Sequence, residues 1–362
     1  MIAVMTMETL RQKLGQLFLV GCHGEALSST EHLLIEEYQF GGVILFGRNC
    51  GEPAQLVALC RAIWQSSDGI HPFVAIDQEG GRVERLSAPF SHFPAAAQIG
   101  ACNDPELAYR FGNATAAELV LAGINLNFAP VLDVQATSAT PIIGDRAFAA
   151  EPQRVIEIAA AWAKGLRDRG VIPCGKHFPG HGSAEKDSHL ELPVVHKSVE
   201  ELDASDLPPF VHACRNQIEA LMTAHVAYPA LDPRLPATLS EAIITGLLRQ
   251  QLGYDGVIFS DDLAMRAISD RYSIEEASAL AVRAGVDVLL FCHEIEKAAT
   301  AFEFLCDEAD RDAAVRARIE DSYHRVTELK RRYLHCFTGA AENQIATRLE
   351  QLNHRKLLDA LV

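Results

Sequence analysis

The sequence predicts an α/β protein of the (β/α)8 TIM-barrel class, built as a single domain with additional C-terminal helices. Two observations support this prediction: short, nearly all-apolar runs recur eight times, and segments with helical periodicity separate them. Such runs are typical of strands that are buried on both faces of a parallel sheet. They cover residues 17–21, 42–46, 73–76, 124–128, 171–175, 220–224, 257–260 and 286–291.

The segments between the runs carry start and stop signals of helices. Asp104–Pro105 and Glu151–Pro152 place a proline in a first helical turn, and the helices that they open are expected to end near Gly123 and Gly170. Capping-box spacings and helix-ending glycines follow at Ser198 with Glu201, Ser273 with Glu276, Gly253 and Gly285. Helix, glycine and apolar strand therefore alternate, as a barrel of parallel strands requires.

A doubly wound open sheet is the alternative architecture, but no Gly-x-Gly-x-x-Gly follows the first strand to support a dinucleotide-binding version. Beyond residue 291 the chain is expected to be helical, and Ile345, Leu349, Leu352 and Leu358 have helical spacing. We expect one domain over residues 1–362, with a helical extension over about 294–362. Its last helix should dock on the barrel or on a second subunit.

Composition and charge narrow the class of partner. The chain has 362 residues, of which 49% are hydrophobic, and a formal net charge of -16. This acidic balance argues against nucleic acid and anionic membranes, which need a basic face, and favours a small neutral or polar ligand. The nine cysteines form no CxxC pair, and residues 1–20 show no signal peptide or membrane span. We expect a cytoplasmic protein, either a monomer or a weak homodimer.

The segment KHFPGHG at residues 176–182, followed by DSH at 187–189, is the richest in ionisable side chains. It follows the fifth run, and active sites of these barrels lie at the C-terminal ends of the strands. Other polar residues also follow the runs and should meet at the same mouth: Arg48, Asn49, Asp77, Gln78, Glu79, Arg82, Arg85, Asp133, Asp145, Arg146, His225, Asp261 and Asp262.

This combination resembles the single-domain β-N-acetylhexosaminidases of glycoside hydrolase family 3. The matching segments are GGVILF at 41–46, IDQEGGRV at 76–83, GDR at 144–146, KHFPGHG at 176–182 with DSH at 187–189, and FSDDL at 259–263. The resemblance covers most of residues 10 to 295. The KHFPGHG and DSH pair is its most specific part, whereas GGVILF alone would be weak.

The resemblance implies retaining hydrolysis of β-linked N-acetylglucosamine by double displacement. Asp261 is then the nucleophile, and a carboxylate at the rim suits attack on an oxocarbenium-like centre. His189 is the implied acid/base with Asp187 as its partner, and a histidine of ordinary pKa about 6.5 can exchange protons near neutrality. Because strand side chains alternate, we expect Asp261 to face the centre and Asp262 to be an orienting neighbour.

Sugar-binding roles are likewise implied by the resemblance for Asp77, Arg85, Arg146, Lys176 and His177. An aspartate can accept hydrogen bonds from two hydroxyls, and the cationic side chains donate to hydroxyl and carbonyl oxygens. The expected substrate is a small carbohydrate, a muropeptide fragment containing N-acetylglucosamine or a chitooligosaccharide, and no cofactor and no metal are expected. In one departure, Ser183–Ala184 follows Gly182 where the family usually has Asp or Asn and then Thr.

Other interpretations stay open at the level of sequence. Lys176 could form a Schiff base in a lyase, and Asp187, His189, His177 and His181 could hold a metal, although the H-x-H and H-E-x-x-H spacings are missing. Another β-glycosidase, a phosphorylase or an inactive binding module are further alternatives. His181 could equally be structural, as could Asp133, Asp145 and His225. Glu79 is expected to cap the turn at Gly80–Gly81 or to pair with an arginine.

Overall fold

The computed structural model describes residues 9–67, 69–135, 142–184, 188 and 190–361. Its centre is a closed barrel of eight parallel strands in sequential order, which confirms the predicted fold class. The strands are β1 (Phe18–Gly21), β2 (Gly42–Leu45), β3 (Phe73–Ile76), β4 (Leu126–Asn127), β5 (Ile172–Phe178), β6 (Ala220–Thr223), β7 (Val257–Asp262) and β8 (Val288–Phe291).

Helices surround the barrel. In chain order they are α1 (Leu10–Gly15), α2 (Ser29–Tyr38), α3 (Pro53–Gln65), α4 (Ala96–Cys102), α5 (Pro105–Ala122), α6 (Pro152–Arg167), α7 (Val199–Ser205), α8 (Pro208–Arg215), α9 (Arg266–Ser269), α10 (Ile274–Ala284), α11 (Ile295–Arg311), α12 (Ala313–Tyr333), α13 (Ile345–Leu352) and α14 (Arg355–Leu358). A π-helical segment, Ala242–Gln251, lies between β6 and β7. Within the described residues, no helix is long and apolar enough to cross a membrane.

The predicted capping signals operate in the structure. Asp104 caps α5 by accepting hydrogen bonds from the backbone N–H groups of Glu106 and Leu107, and Gly123 ends the helix at φ +89°. Ser198 and Glu201 form the predicted capping box at the start of α7. These local signals therefore set where the outer helices begin and end.

The strands differ from their predicted bounds where functional side chains lie. β4 is reduced to Leu126–Asn127, whereas β5 continues to Phe178 and β7 continues to Asp262. Pairing register shifts between Lys176 and Phe178 on β5 and between Phe259 and Asp262 on β7. The periodicity of apolar residues missed these extensions because both continue into polar residues, Lys176 and His177 on β5 and Asp261 and Asp262 on β7.

Aromatic and aliphatic side chains fill the barrel. Phe259 packs edge to face against Phe73 and Phe128, at ring-centroid distances of 5.9 and 5.4 Å. All three rings are fully buried. The barrel interior is thus a packed core that closes the floor beneath its C-terminal mouth.

The C-terminal helices dock on the barrel. α11 packs against β1 and β8, α12 lies beside α1, α10 and α11, and α13 rests on α3 and α5. The last helix that the spacing of Ile345, Leu349, Leu352 and Leu358 predicts is divided in the structure, because Asn353 adopts left-handed backbone angles (φ +42°) and separates α13 from α14. The domain boundary near residue 294 stays a prediction.

Candidate active site

A cavity of about 450 Å³ opens at the C-terminal ends of the strands. Every strand from β2 to β8 contributes to its wall, either from the strand or from the residues just after it. One contributor from each, in chain order, is Ile44, Asp77, Phe128, Lys176, Met222, Asp261 and Leu290. Of the polar residues expected at the mouth, those that line this cavity are Asp77, Glu79, Arg82, Arg85, Arg146, Asp261 and Asp262, whereas Arg48, Asn49, Gln78, Asp133, Asp145 and His225 are not among its lining residues.

The loop after β3 is shaped by two adjacent glycines. Gly80 and Gly81 have φ of +94° and +58°, and a Cβ on either would come within 2.6 Å or less of Pro94 or Ala95. Gln78 supports the same loop, because its side-chain oxygen accepts the backbone N–H of Arg85 at 2.9 Å. Glycine is needed here for both conformation and space, and the turn directs Asp77 and Glu79 to the cavity.

Lys176 lies between two carboxylates. Its Nζ is 2.6 Å from Asp77 Oδ1 and 2.6 Å from Glu79 Oε1, and its side chain is 3% exposed. Burial by itself would lower the pKa of Lys176, but the charges of Asp77 and Glu79 outweigh it and raise the pKa above the ordinary value. A Schiff-base lysine must lose its proton to attack a carbonyl, so this environment does not support the lyase alternative.

Glu79 also pairs with Arg146, as expected of a partner for an arginine. Arg146 Nε and Nη2 each donate to a Glu79 carboxylate oxygen at 2.8 Å. Burial opposes ionisation of Glu79, yet Lys176 and Arg146 hold its pKa far below the usual range. Arg85 reaches Asp77 at 3.5 Å between Nη2 and Oδ2. Glu79 therefore ties Lys176 and Arg146 together, and Asp77 is held by Lys176 and Arg85.

Asp133 organises the two histidines of the KHFPGHG segment. It is fully buried and accepts from His177 Nδ1 at 2.7 Å and from the backbone N–H of His181 at 2.6 Å. Burial would raise the pKa of Asp133, but His177 and these hydrogen bonds lower it. A carboxylate on Nδ1 orients the ring of His177 and leaves Nε2 as the nitrogen available to a ligand. Asp133 thus acts beneath the site rather than in it.

His181 borders the cavity too, although the sequence left its role open. Its Nε2 is 3.2 Å from the hydroxyl of Ser188, and burial lowers its pKa to about 4. The ring is therefore neutral near pH 7. Ser188 also lines the cavity, and its carbonyl accepts the backbone N–H of Ala267 at 3.2 Å. Asp187 and His189, the implied acid/base pair on either side of Ser188, lie outside the described residues.

Asp261 and Asp262 both contribute to the cavity wall, at a strand end where the pairing register shifts after Phe259. The backbone N–H of Asp262 donates to Asp261 Oδ1 at 2.8 Å, and Asp262 Oδ1 accepts from the backbone N–H of Ala264 at 3.0 Å. Burial raises the pKa of Asp262.

His225 supports the same strand end. Its Nε2 lies 2.9 Å from the backbone carbonyl of Asp262, while Nδ1 bonds to Thr238 Oγ1 at 2.8 Å. Burial lowers the pKa of His225, so it is a neutral donor to that carbonyl. It contacts the backbone beside Asp261 and lines no part of the cavity.

Sequence reasoning missed several rim residues. Phe46 stacks on His293 at a centroid distance of 5.3 Å, and both line the cavity. Met265 and Arg266 also line it. Each of these residues follows a strand within a few positions, and this placement could have identified them.

The departure at Ser183 is anchored in the structure. Its hydroxyl donates to Asp206 Oδ1 at 2.7 Å and accepts from Lys197 Nζ at 2.7 Å, while Ala184 is buried. The loop therefore leaves Gly182 from a fixed point. Among the described residues, no group of three or more His, Cys, Asp or Glu side chains could hold a metal ion.

An eight-stranded parallel barrel with a cationic, carboxylate-bearing cavity at its C-terminal mouth is typical of barrel enzymes, and comparison with known proteins identifies the family. The model described as "Glycosyl hydrolase family 3 N terminal domain" matches residues 9–329. The chain belongs to this family and is a glycoside hydrolase.

Similar proteins agree with the family assignment. The Beta-hexosaminidase of Alkalilimnicola ehrlichii is 40% identical over 301 residues, covering 80% of this chain and 84% of that protein. A family 3 β-N-acetylglucosaminidase from Paenibacillus is 38% identical with a TM-score of 0.87, covering 96% of this chain and 69% of that one. NagZ from Neisseria gonorrhoeae, solved with N-trifluoroacetyl-D-glucosamine, is 31% identical with a TM-score of 0.77, and the match covers 95% of this chain and 97% of that one.

Proposed function

We propose that the chain is a retaining exo-β-N-acetylglucosaminidase, of the β-N-acetylhexosaminidase class, that releases terminal β-linked N-acetylglucosamine. One observation carries the proposal: Asp261, at the end of β7, shares a single cavity with Asp77, Arg85, Lys176 and His177. A carboxylate facing a ring of fixed hydrogen-bonding groups is what a glycosidase needs to hold and attack one sugar.

The sugar ring is held by the groups at the ends of β3 and β5. Lys176 and Arg85 orient the carboxylate of Asp77, so that its oxygens can accept hydrogen bonds from neighbouring hydroxyls. Arg146 and His177 supply further hydrogen-bonding atoms on the same wall. Because these side chains are pre-paired, little reorganisation is required when the sugar binds.

The reaction proceeds in two displacements. Asp261 attacks the anomeric carbon, the bond to the aglycone oxygen breaks, and His189 gives its proton to that oxygen. His189 then takes a proton from water, which attacks the glycosyl–Asp261 ester and restores the carboxylate with retained configuration. Asp187 stabilises the imidazolium that donates in the first displacement and that forms again in the second. The Asp262 N–H fixes one oxygen of Asp261 for the attack.

Asp261→Ala tests the nucleophile. We expect kcat/KM for an aryl β-N-acetylglucosaminide to fall at least about a thousandfold, because no covalent intermediate can form. Asp310→Asn is the matched control, since Asp310 is exposed on α11 and pairs with Arg316 at 2.8 Å. Retention of more than a tenth of the activity in Asp261→Ala would show that another group attacks.

The natural aglycone is proposed to be an anionic muropeptide, cleaved during cell-wall recycling in the cytoplasm. Arg82 and Arg266 stand at the rim with 52% and 63% of their side chains exposed, each paired with one exposed aspartate, Asp145 at 2.7 Å and Asp270 at 3.3 Å, on a protein of net charge -16. Such cations favour an aglycone that bears carboxylates over a neutral chitooligosaccharide. The nine cysteines are all unpaired, which suits a reducing compartment.

Substrate comparison tests this assignment. We expect a higher kcat/KM for an anionic N-acetylglucosaminyl muropeptide than for chitobiose, and a preference that shrinks as salt screens the rim. Equal rates at every salt concentration would favour chitooligosaccharides. Parallel assays with aryl glucosides, and with phosphate as acceptor, separate the hydrolase from the β-glucosidase and phosphorylase alternatives.

A further inference from the structure

Gln78 is fixed through its backbone just after β3. Its N–H donates to Asn127 Oδ1 and its carbonyl accepts from Asn127 Nδ2, both at 2.9 Å. Asn127 belongs to β4 and is fully buried, and Gln78 is itself 1% exposed. One buried amide therefore satisfies both backbone groups of Gln78 and ties the start of the loop after β3 to the neighbouring strand.

The side chain of Gln78 reaches across to the other end of the same loop. Its Oε1 accepts the backbone N–H of Arg85 at 2.9 Å and that of Leu86 at 3.3 Å. Its Nε2 donates to Glu84 Oε1 at 3.1 Å. An amide offers an acceptor and a donor at once, whereas an ionised carboxylate only accepts. The loop therefore uses the property that distinguishes glutamine from glutamate.

Glu84 connects Gln78 to the segment that supports the glycine turn. Its Oε1 also accepts the backbone N–H of Phe93 at 3.1 Å, and its side chain is 9% exposed. The carbonyl of Phe93 in turn accepts the N–H of Gly81 at 2.9 Å. The bond between Gln78 and Glu84 thus joins both ends of the loop to one fixed support.

The guanidinium of Arg85 has few contacts of its own. Its Nη2 is 3.5 Å from Asp77 Oδ2, and its carbon lies 5.6 Å from the ring centroid of Phe46. Among the residues that the structure describes, Arg85 Nε has no hydrogen-bond partner. Asp77 differs, because Lys176 holds it at 2.6 Å. The position of Arg85 in the cavity therefore depends on its backbone, which Gln78 holds.

We propose that Gln78 and Glu84 form a polar clamp that sets Arg85 beside Asp77, which makes both members of the clamp positioning residues for the terminal sugar. The proposal rests on the proposed function. A displacement of about 1 Å in a substrate-binding group can cost about 100-fold in rate. The clamp requires one donor facing one acceptor, so its function should survive an exchange of the two side chains but not the change of one alone.

Exchange of the two side chains tests the clamp. Gln78→Glu keeps the oxygens that accept the two backbone N–H groups but sets two carboxylates against each other. We expect kcat/KM for an aryl β-N-acetylglucosaminide to fall at least about tenfold. Gln78→Glu combined with Glu84→Gln restores one donor, and activity should return to within about threefold of the wild type. Gln153→Glu is the matched control, because Gln153 donates to Glu157 at 2.8 Å in an exposed pair on α6, and it should leave activity unchanged.

A second measurement separates positioning of Arg85 from a general loss of structure. In Gln78→Glu the Kd of free N-acetylglucosamine, measured by calorimetry, should rise at least about tenfold. The ratio of kcat/KM between alkyl and dinitrophenyl substrates should stay at the wild-type value, because protonation of the leaving group is not involved. In an Arg85→Met background, Gln78→Glu should cost less than about twofold more. Glu84→Ala removes the acceptor without adding a charge and carries the same comparison if Gln78→Glu does not fold.

Three results would each overturn the clamp and leave the hydrolase intact. They are wild-type kinetics in both Gln78→Glu and Glu84→Ala, no recovery in the exchanged variant, and an undiminished loss in the Arg85→Met background. A wild-type protein inactive toward every β-N-acetylglucosaminide would instead remove the proposed function itself.

Discussion

Two buried lysines, one at each end of the barrel, have opposite electrostatics. Lys176 at the C-terminal mouth touches the carboxylates of Asp77 and Glu79, and its pKa is raised. Lys330 of α12, at the N-terminal end, donates to Gln16 Oε1 and to the carbonyl of Gly41, both at 2.7 Å, and burial lowers its pKa to about 7.

Burial is nearly complete at both lysines, so the difference comes from the partners. The neutral oxygens around Lys330 satisfy its hydrogen bonds, but they do not offset the free-energy cost of removing its charge from water. The two carboxylates beside Lys176 do offset that cost. The mouth of the barrel therefore maintains fixed charges. At the N-terminal end, the lysine is packed in the interior without a carboxylate partner to hold its charge.

The largest expected effect follows from removing the charge at the mouth. Lys176→Met leaves Asp77 and Glu79 without their shared cation, so we expect a loss of about 3 kcal/mol in the free energy of unfolding. The kcat/KM for an aryl β-N-acetylglucosaminide should fall by roughly three orders of magnitude, because Asp77 loses its orientation. Urea denaturation and steady-state kinetics measure both. If the Lys176→Met variant is as stable and as active as the wild type, the charge of Lys176 does not matter at the mouth, and the proposed difference between Lys176 and Lys330 is wrong.

A smaller effect is expected beneath the mouth. Asp133→Asn keeps the shape but removes the charge that orients His177 and accepts the His181 N–H. We expect kcat/KM to fall about 10- to 100-fold, in the range seen when a supporting carboxylate is lost. Asp145→Asn, which disturbs only an exposed pair with Arg82, is the comparison variant. Similar losses in the two variants would contradict a special role for Asp133.

The smallest expected effect is a pH dependence of the free energy of unfolding that arises from Lys330, at the N-terminal end of the barrel. The pKa of Lys330 is about 7 in the fold and about 10.4 in the unfolded chain, so between these values the unfolded state binds more protons. The free energy of unfolding should therefore rise with pH relative to Lys330→Met, by roughly 1 kcal/mol per unit from pH 7.5 to 9.5.

Lys176 provides the control for the direction of this pH dependence. Its raised pKa means that its stabilisation is fully present below the unfolded value and is lost only as pH rises through the higher folded value. The difference between the wild type and Lys176→Met should stay flat from pH 7.5 to 9.5. A flat difference for Lys330→Met as well would show that Lys330 is charged in the folded protein.

Much of the fold could be predicted because the information is local. Eight apolar runs and the caps at Asp104 and Ser198 specify strands and helix starts through burial and backbone hydrogen bonding, which need no distant partner. The exceptions are also local in cause. β5 and β7 extend into polar residues, which a search for apolar runs assigns to loops, and Asn353 interrupts the last helix.

The sequence by itself determined the barrel, the mouth at which polar residues collect and the family resemblance carried by KHFPGHG and FSDDL. Tertiary structure decided which of those residues become partners. It joins Glu79 to Arg146 and Lys176, places Asp133 beneath His177, and brings His181 to Ser188. Such pairs depend on the distances between side chains across the barrel mouth and on the loss of water around each charge. Neither quantity can be read from the sequence of a single strand.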